Sequence, residues 1–268
     1  MLKKFLPILT LAIFFLDNLQ AQNIYDIVAR TLVHPDGSAK GTYKAGEFIT
    51  LRGMNGFESR VYAAGPEDAA ACILIVHDFF GITSATRESV EHLGALGYRA
   101  IAVDLYRGKF TSIQDSAEAF MKQKVRTETD QILEEAIRYL KRPGRKLAAI
   151  GFSAGGIDAV NANLLEPEAF NATVLIYAGD YDMITPSKIE KLKSPMLAIS
   201  GSLDKWAVQA ALNFFTNEKS KSFELYIYPG ADHGYAQPLF LNGKNYDEEA
   251  TRMTWKLTED FLTRHLRS

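Results

Sequence analysis

The stretch Leu147-Ala-Ala-Ile-Gly-Phe-Ser-Ala-Gly-Gly156 constrains this chain more than any other, because an apolar run leads directly into Gly151-Phe152-Ser153-Ala154-Gly155. A strand that turns sharply into a helix around a serine has little room beside that serine. The positions two before and two after it must therefore lack bulk, and Gly151 and Gly155 meet that need. The pattern reads as a nucleophile elbow, with Ser153 presented at the carboxyl end of its strand.

A serine hydroxyl is a poor nucleophile until a base takes its proton, and the base needs an acid to fix its tautomer and stabilise its charged form. Of the five histidines, His34 precedes the predicted domain, His92 lies in a helix and His265 in the last turn of the C-terminal helix. His233 lies in Tyr228-Pro-Gly-Ala-Asp-His-Gly-Tyr235, a turn-rich loop after the last predicted strand, and is the expected base. For the acid, Asp204 follows the strand Met196 to Ser200, and Asp182 after the preceding strand is the runner-up. Asp232 adjoins the histidine and is badly placed to pair with it. The order serine, acid, histidine is the one this architecture uses. Donors for a tetrahedral oxyanion are expected from the backbone N–H of Ala154 and from that of Phe79, in the loop His77-Asp-Phe-Phe-Gly81. His77 itself is read as structural.

Around the elbow, strand and helix patterns alternate. Two strand-like segments between Glu47 and Ala64 flank Asn55-Gly56, a hairpin signal. Predicted strands follow at Cys72 to Val76, Ala100 to Val103, Thr173 to Tyr177, Met196 to Ser200 and Phe223 to Tyr228. Helices are expected over Ser84 to Leu96, from Thr127 with Asp130 placed for a capping box, over Trp206 to Phe215 and over Asp247 to Leu266. Such alternation predicts an α/β fold of one domain, a mostly parallel, doubly wound sheet with helices on both faces, over residues 47–268. In open sheets of this type, ligands bind at the carboxyl ends of the strands, where every candidate residue lies.

At the N-terminus, Lys3 and Lys4 precede about a dozen mostly apolar residues, too short a run to span a bilayer. Residues 1–21 are expected to be a signal peptide cleaved after Ala21, followed by an extension over 22–46; a retained anchor is the alternative. The product would be exported, periplasmic or secreted, with no stable membrane span in the mature chain. With 30 basic and 32 acidic residues the chain carries a formal charge of −2, so no strong field points to nucleic acid. Cys72 is the only cysteine, which excludes an intrachain disulfide and a cysteine-rich metal site, and its apolar surroundings mark it as a buried hydrophobe.

Taken together, His77-Asp-Phe-Phe-Gly81, Asp104-Leu-Tyr106, Gly151-Phe-Ser-Ala-Gly-Gly156, Gly201-x-x-Asp204 and Gly230-Ala-Asp-His233 resemble the dienelactone hydrolase family of α/β-hydrolases, over the chain from about Glu47 to the C-terminus. The resemblance implies the α/β-hydrolase fold, a triad of Ser153, Asp204 and His233, no cofactor and no metal. It also implies a substrate pocket involving Asp78, Tyr106, Arg107 and Gln237, with Asp78 standing where the family's prototype has a glutamate. The chain departs from that prototype twice. It has Ser153 in place of a cysteine nucleophile, and it has Gln237 where an arginine, four residues after the histidine, binds the substrate's carboxylate. Arg107 is displaced by one residue from the prototype's other arginine.

The function expected is therefore an exported serine hydrolase acting on small carboxylic esters through an acyl-enzyme. A peptidase or acyltransferase on the same triad, and a non-catalytic binding protein of the same fold, are the competing readings, since fold alone does not choose among them. The oligomeric state is not legible.

Overall fold

The computed structural model describes residues 45–53, 56–217, 223–238 and 243–267. The expected signal peptide and extension lie outside these residues, apart from the last two positions of the extension, and so does Asn55 of the expected hairpin turn.

Eight strands form one sheet in the order β1-β2-β4-β3-β5-β6-β7-β8. They are β1 (Glu47–Arg52), β2 (Glu58–Ala64), β3 (Ala71–Val76), β4 (Arg99–Val103), β5 (Lys146–Phe152), β6 (Ala172–Ile176), β7 (Met196–Gly201) and β8 (Phe223–Tyr228). The β1–β2 and β2–β4 pairs are antiparallel. All other pairs are parallel. The inner strands β3 and β4 and the elbow strand β5 read as continuous apolar runs because both of their faces are covered.

Period-two alternation divides their side chains between two cores. Cys72, Leu74 and Val76 of β3 point into one layer, and Ile73 and Ile75 into the other. The first layer is closed by α3 (Arg126–Leu140), α4 (Gly155–Leu165) and α6 (Lys205–Asn217), through Ile132, Leu133, Ile137, Val160 and Phe214 among others. The second is closed by α1 (Ser84–Ala95) and α7 (Glu248–Leu266), through Val90, Leu93, Trp255, Phe261 and Leu262. Cys72 is a free, buried thiol, and burial raises its pKa.

Two local expectations about helix ends need correction, and three short elements were not anticipated. The third helix was expected to open at Thr127 with a capping box, but it begins at Arg126, after Val125, with no side-chain cap. The Asp130 carboxylate instead pairs with the Arg126 guanidinium one turn back, and Arg126 also reaches Asp158 of α4 at 3.2 Å. Opposite charges at i,i+4 offer Asp130 a better partner than a backbone N–H that solvent can reach. The expected end of the first helix moves from Leu96 to Ala95, with Leu96 as its C-cap. The unanticipated helix α2 (Gln114–Lys122) fully buries only Ala117, with Phe120 one turn on packed partly against the core. Short α5 (Pro186–Ile189) and a 3-10 turn over Tyr181–Met183 are likewise unanticipated.

After β3 the chain crosses to β4 through α1 on one face, and after β5 it crosses to β6 through α4 on the other. The two connections diverge between neighbouring strands, which opens a crevice at the carboxyl ends of β3 and β5.

Phe261 is fully buried on α7. Phe261→Ala is expected to cost about 3–5 kcal/mol of stability through lost transfer energy and a cavity, read from urea unfolding midpoints. A change below about 1 kcal/mol would mean that α7 does not close this core.

Candidate active site

β5 delivers Ser153 at φ +49°, in the left-handed region that L residues rarely adopt. Its N–H donates to the Ile176 carbonyl at 3.0 Å, and its carbonyl accepts from Gly156 N–H at 3.0 Å. The flanking glycines are sterically required. A Cβ on Gly155 would lie 2.4 Å from the His77 carbonyl oxygen and 2.6 Å from that of Val76, and one on Gly151 would lie 2.7 Å from the Gly155 carbonyl oxygen. α4 therefore starts against the end of β3.

Ser153 Oγ lies 2.9 Å from His233 Nε2, and His233 Nδ1 lies 2.6 Å from Asp204 Oδ2. An ionised carboxylate offers only acceptors, so Nδ1–H donates to Asp204 and Nε2 is left to accept from the serine hydroxyl. Asp204 is buried at the start of α6, and its other oxygen accepts from Ala207 N–H at 3.1 Å. The competing carboxylates are engaged elsewhere. Asp182 accepts from Asn213 Nδ2 at 2.9 Å, Asp180 from Trp206 Nε1 at 3.0 Å, and Asp232 from the His233 backbone N–H at 2.7 Å. The His233 ring is flanked edge-on by Tyr177, at 5.5 Å between centroids, and by Trp206, at 5.4 Å. Its carbonyl accepts from Asn245 Nδ2 at 2.8 Å.

Neither Phe79 N–H, in the loop after β3, nor Ala154 N–H, at the start of α4, donates to an acceptor among the described residues. Asp78 is buried and spans two loops: one oxygen accepts from Phe80 N–H at 2.9 Å and the other from Gln237 Nε2 at 2.8 Å. Desolvation raises its pKa to about 6, opposed by the Phe80 hydrogen bond, the His233 charge and the Gln237 amide. His77 holds structure: Nδ1 donates to the Asp78 carbonyl at 2.5 Å and Nε2 accepts from Leu105 N–H at 3.3 Å, so the ring is neutral. Burial lowers its pKa.

Tyr106 is buried, with its ring 4.8 Å from that of His77, and desolvation followed by the Asp78 and Asp158 charges pushes its phenol far up. Arg107 turns away to a bidentate pair with Glu128 at the surface. The structure thus brings Ser153, His233 and Asp204 into one hydrogen-bonded chain, and joins Asp78 to Gln237, while it commits Arg107 to Glu128. Sequence reasoning missed Tyr177 and Trp206, which flank the imidazole, and Asn245, which holds the His233 carbonyl. Trp206 lies two residues after Asp204, but nothing in that spacing reveals which way its indole turns.

The fold and this constellation define an α/β-hydrolase. The dienelactone hydrolase family model matches residues 59–266, and the chain belongs to that family. Membership carries hydrolase activity on esters or lactones. "Carboxymethylenebutenolidase 1" of Cupriavidus pinatubonensis is 24% identical over 226 residues, covering 80% of this chain and 95% of that protein. A dienelactone hydrolase from Anabaena variabilis superimposes with a TM-score of 0.61 at 20% identity, over 83% of this chain and 100% of that one. A dienelactone hydrolase-like promiscuous phosphotriesterase, P91, from metagenomic libraries reaches 0.66 at 18% identity, over 83% and 99%.

Asp78 also gives the site a pH signature in stability. A carboxyl raised from 3.8 to about 6 by folding favours the folded state below pH 3.8, and that contribution is lost as pH rises through about 6. The difference is about 3 kcal/mol. Asp78→Asn should therefore remove a downward slope in unfolding free energy between about pH 4 and 7. Parallel stability curves for the two proteins over that range would show that Asp78 does not titrate this way.

Proposed function

We propose that this chain is an exported serine esterase of the dienelactone hydrolase family, cleaving small carboxylic esters. In this reading Ser153 is the nucleophile, His233 the general base and acid, and Asp204 the residue that orients His233. The observation that carries the reading is the chain of hydrogen bonds from Ser153 Oγ through His233 to Asp204. Ser153 Oγ attacks the ester carbonyl while His233 Nε2 takes its proton. Ala154 N–H and Phe79 N–H, unspent within the described protein, receive the developing oxyanion, each contributing about 3–4 kcal/mol if aligned. As the C–O bond to the alcohol breaks, His233 returns the proton to the leaving oxygen. A water then repeats the sequence on the acyl-enzyme, releasing the acid and restoring Ser153. Asp204 stabilises the imidazolium without taking its proton, and no step requires a cofactor.

A fluorophosphonate probe should label Ser153, and Ser153→Ala should lower kcat by several orders of magnitude while the protein stays folded. His233→Ala should behave similarly, because the proton of Ser153 Oγ then has no acceptor. Near-wild-type esterase activity in Ser153→Ala would overturn the assignment.

The Asp78–Gln237 pair supports a preference for neutral substrates. Gln237 brings no charge to a substrate carboxylate, and its amide N–H already serves Asp78, which faces the charge of His233. A charge-assisted hydrogen bond is worth about 1.5–3 kcal/mol. Neutral short-chain esters should thus exceed their carboxylate-bearing analogues in kcat/KM by about tenfold to a hundredfold. The gap should narrow in Gln237→Arg, and in the wild type as pH falls through about 6 and Asp78 gains its proton. A clear preference for the anion at pH 8 would mean that another cation holds the carboxylate.

Export rests on the basic, then apolar, run of residues 1–21. N-terminal sequencing of native protein should give a chain beginning near Gln22 in a soluble exported fraction; Met1 in a membrane fraction would refute this. Among the described residues, no helix is long and apolar enough to cross a membrane.

A further inference from the structure

Trp206 is 41% exposed, whereas Trp255, the other of the two tryptophans, is 4% exposed in the core. An indole left half in water forgoes burial that would stabilise the fold, yet this one is held firmly. Its Nε1–H donates to Asp180 Oδ1 at 3.0 Å, and Asp180 takes a left-handed backbone conformation, φ +60°, in the turn that presents it. The indole lies against the backbone of Gly179, where any Cβ would meet its ring carbons at 2.2 Å. Its edge meets the His233 imidazole at 66° and 5.4 Å between centroids, opposite in exposure to the fully buried Tyr177 that flanks the same ring. Leu203, on the other side of Asp204 in the chain, is also exposed.

The position relative to His233 decides what such a surface would touch. In ester cleavage the histidine hands its proton to the leaving alkoxide, so the alcohol part of the substrate must stand beside the imidazole when the C–O bond breaks. The acyl part, held by the oxyanion donors of Ala154 and Phe79, extends from Ser153 away from that proton. A fixed, half-exposed indole 5.4 Å from the imidazole is within reach of an alcohol standing there.

We propose that Trp206 is a specificity-determining residue forming the leaving-group subsite, and that the preferred substrates are esters of flat, apolar alcohols of the benzyl class. Stacking of an aromatic alcohol on the indole would cover its exposed face and exclude water from the proton being transferred. The inference rests on the esterase reading of Ser153 and His233 and adds the alcohol class to it.

The test uses the full-length processed protein and two ratios of kcat/KM, which cancel any general loss of active enzyme. The first is benzyl acetate over ethyl acetate, which varies the alcohol between leaving groups of similar acidity. The second is ethyl phenylacetate over ethyl acetate, which varies the acyl part. Trp206→Ala is expected to lower the first ratio about tenfold and to leave the second within about twofold, with Trp206→Phe restoring most of the first. An unchanged first ratio overturns the proposal, as does an equal fall in both, which would mean that Trp206 only positions His233. Fluorophosphonate labelling of the same preparations separates the two levels: labelled Ser153 with an unchanged ratio removes the subsite alone, whereas hydrolysis that persists in Ser153→Ala removes the esterase reading and the subsite with it.

Discussion

The contact on which the site depends is the approach of α4's first residue to the end of β3. Gly155 sits where a Cβ would be 2.4 Å and 2.6 Å from two β3-end carbonyl oxygens. That approach, closer than any side chain permits, brings the N-terminus of α4, with Ala154 N–H, beside the loop that carries Phe79. It also forces Ser153 into a left-handed conformation, a strain of about 1–3 kcal/mol that the surrounding sheet must over-determine. The parallel register of β3 with β5, Val76 opposite Gly151, supplies that determination. A serine in an ordinary strand-to-helix loop would have its hydroxyl but not the unspent N–H donors next to it.

The remaining parts are held by the strands after the elbow. β7 ends at Gly201, whose missing side chain lets Ala231 of the histidine loop pack against it; Leu203 N–H then binds the Ala231 carbonyl at 2.9 Å. The acid loop and the base loop are therefore fastened to each other by backbone before Asp204 and His233 meet through their side chains. A second fastening, Asp78 to Gln237, ties the oxyanion loop to the base loop across 159 residues. Backbone contacts fix distance, and the two carboxylates then set charge. Asp204 stays on the imidazole, while Asp78 is desolvated enough to titrate near neutrality.

Much of this placement was legible in the sequence because parallel sheets gather the residues just after their strands at one edge. Strands are recognisable as short apolar runs, and Ser153, Asp204 and His233 follow three of them in the expected order. Asp204 could be preferred over Asp182 on loop order alone, and the structure shows the physical difference: Asp182 is engaged by Asn213 of α6. What failed lies where long-range partners decide. Asp130 looked like a capping residue locally but met Arg126, itself drawn toward Asp158 on another helix. Helix α2 does present an apolar face, Ala117 with Phe120 one turn on, and the sequence reading passed over it. The Asp78–Gln237 bond and the direction of Arg107 toward Glu128 depend on which loops face each other, and one chain's residue spacing does not encode that.

The two departures from the family's prototype are coupled through this geometry. With the neutral Gln237 amide as its side-chain partner, Asp78 has desolvation as the dominant influence on its carboxyl. A thiolate nucleophile beside such a carboxylate would have to compete with it for nearby positive charge. A serine makes no such demand, because its hydroxyl stays neutral until a base takes the proton. Ser153 and Gln237 are thus mutually consistent: neither adds a charge of its own to a site whose acidic groups, Asp204 on the imidazole and Asp78 on the Gln237 amide, are already in place.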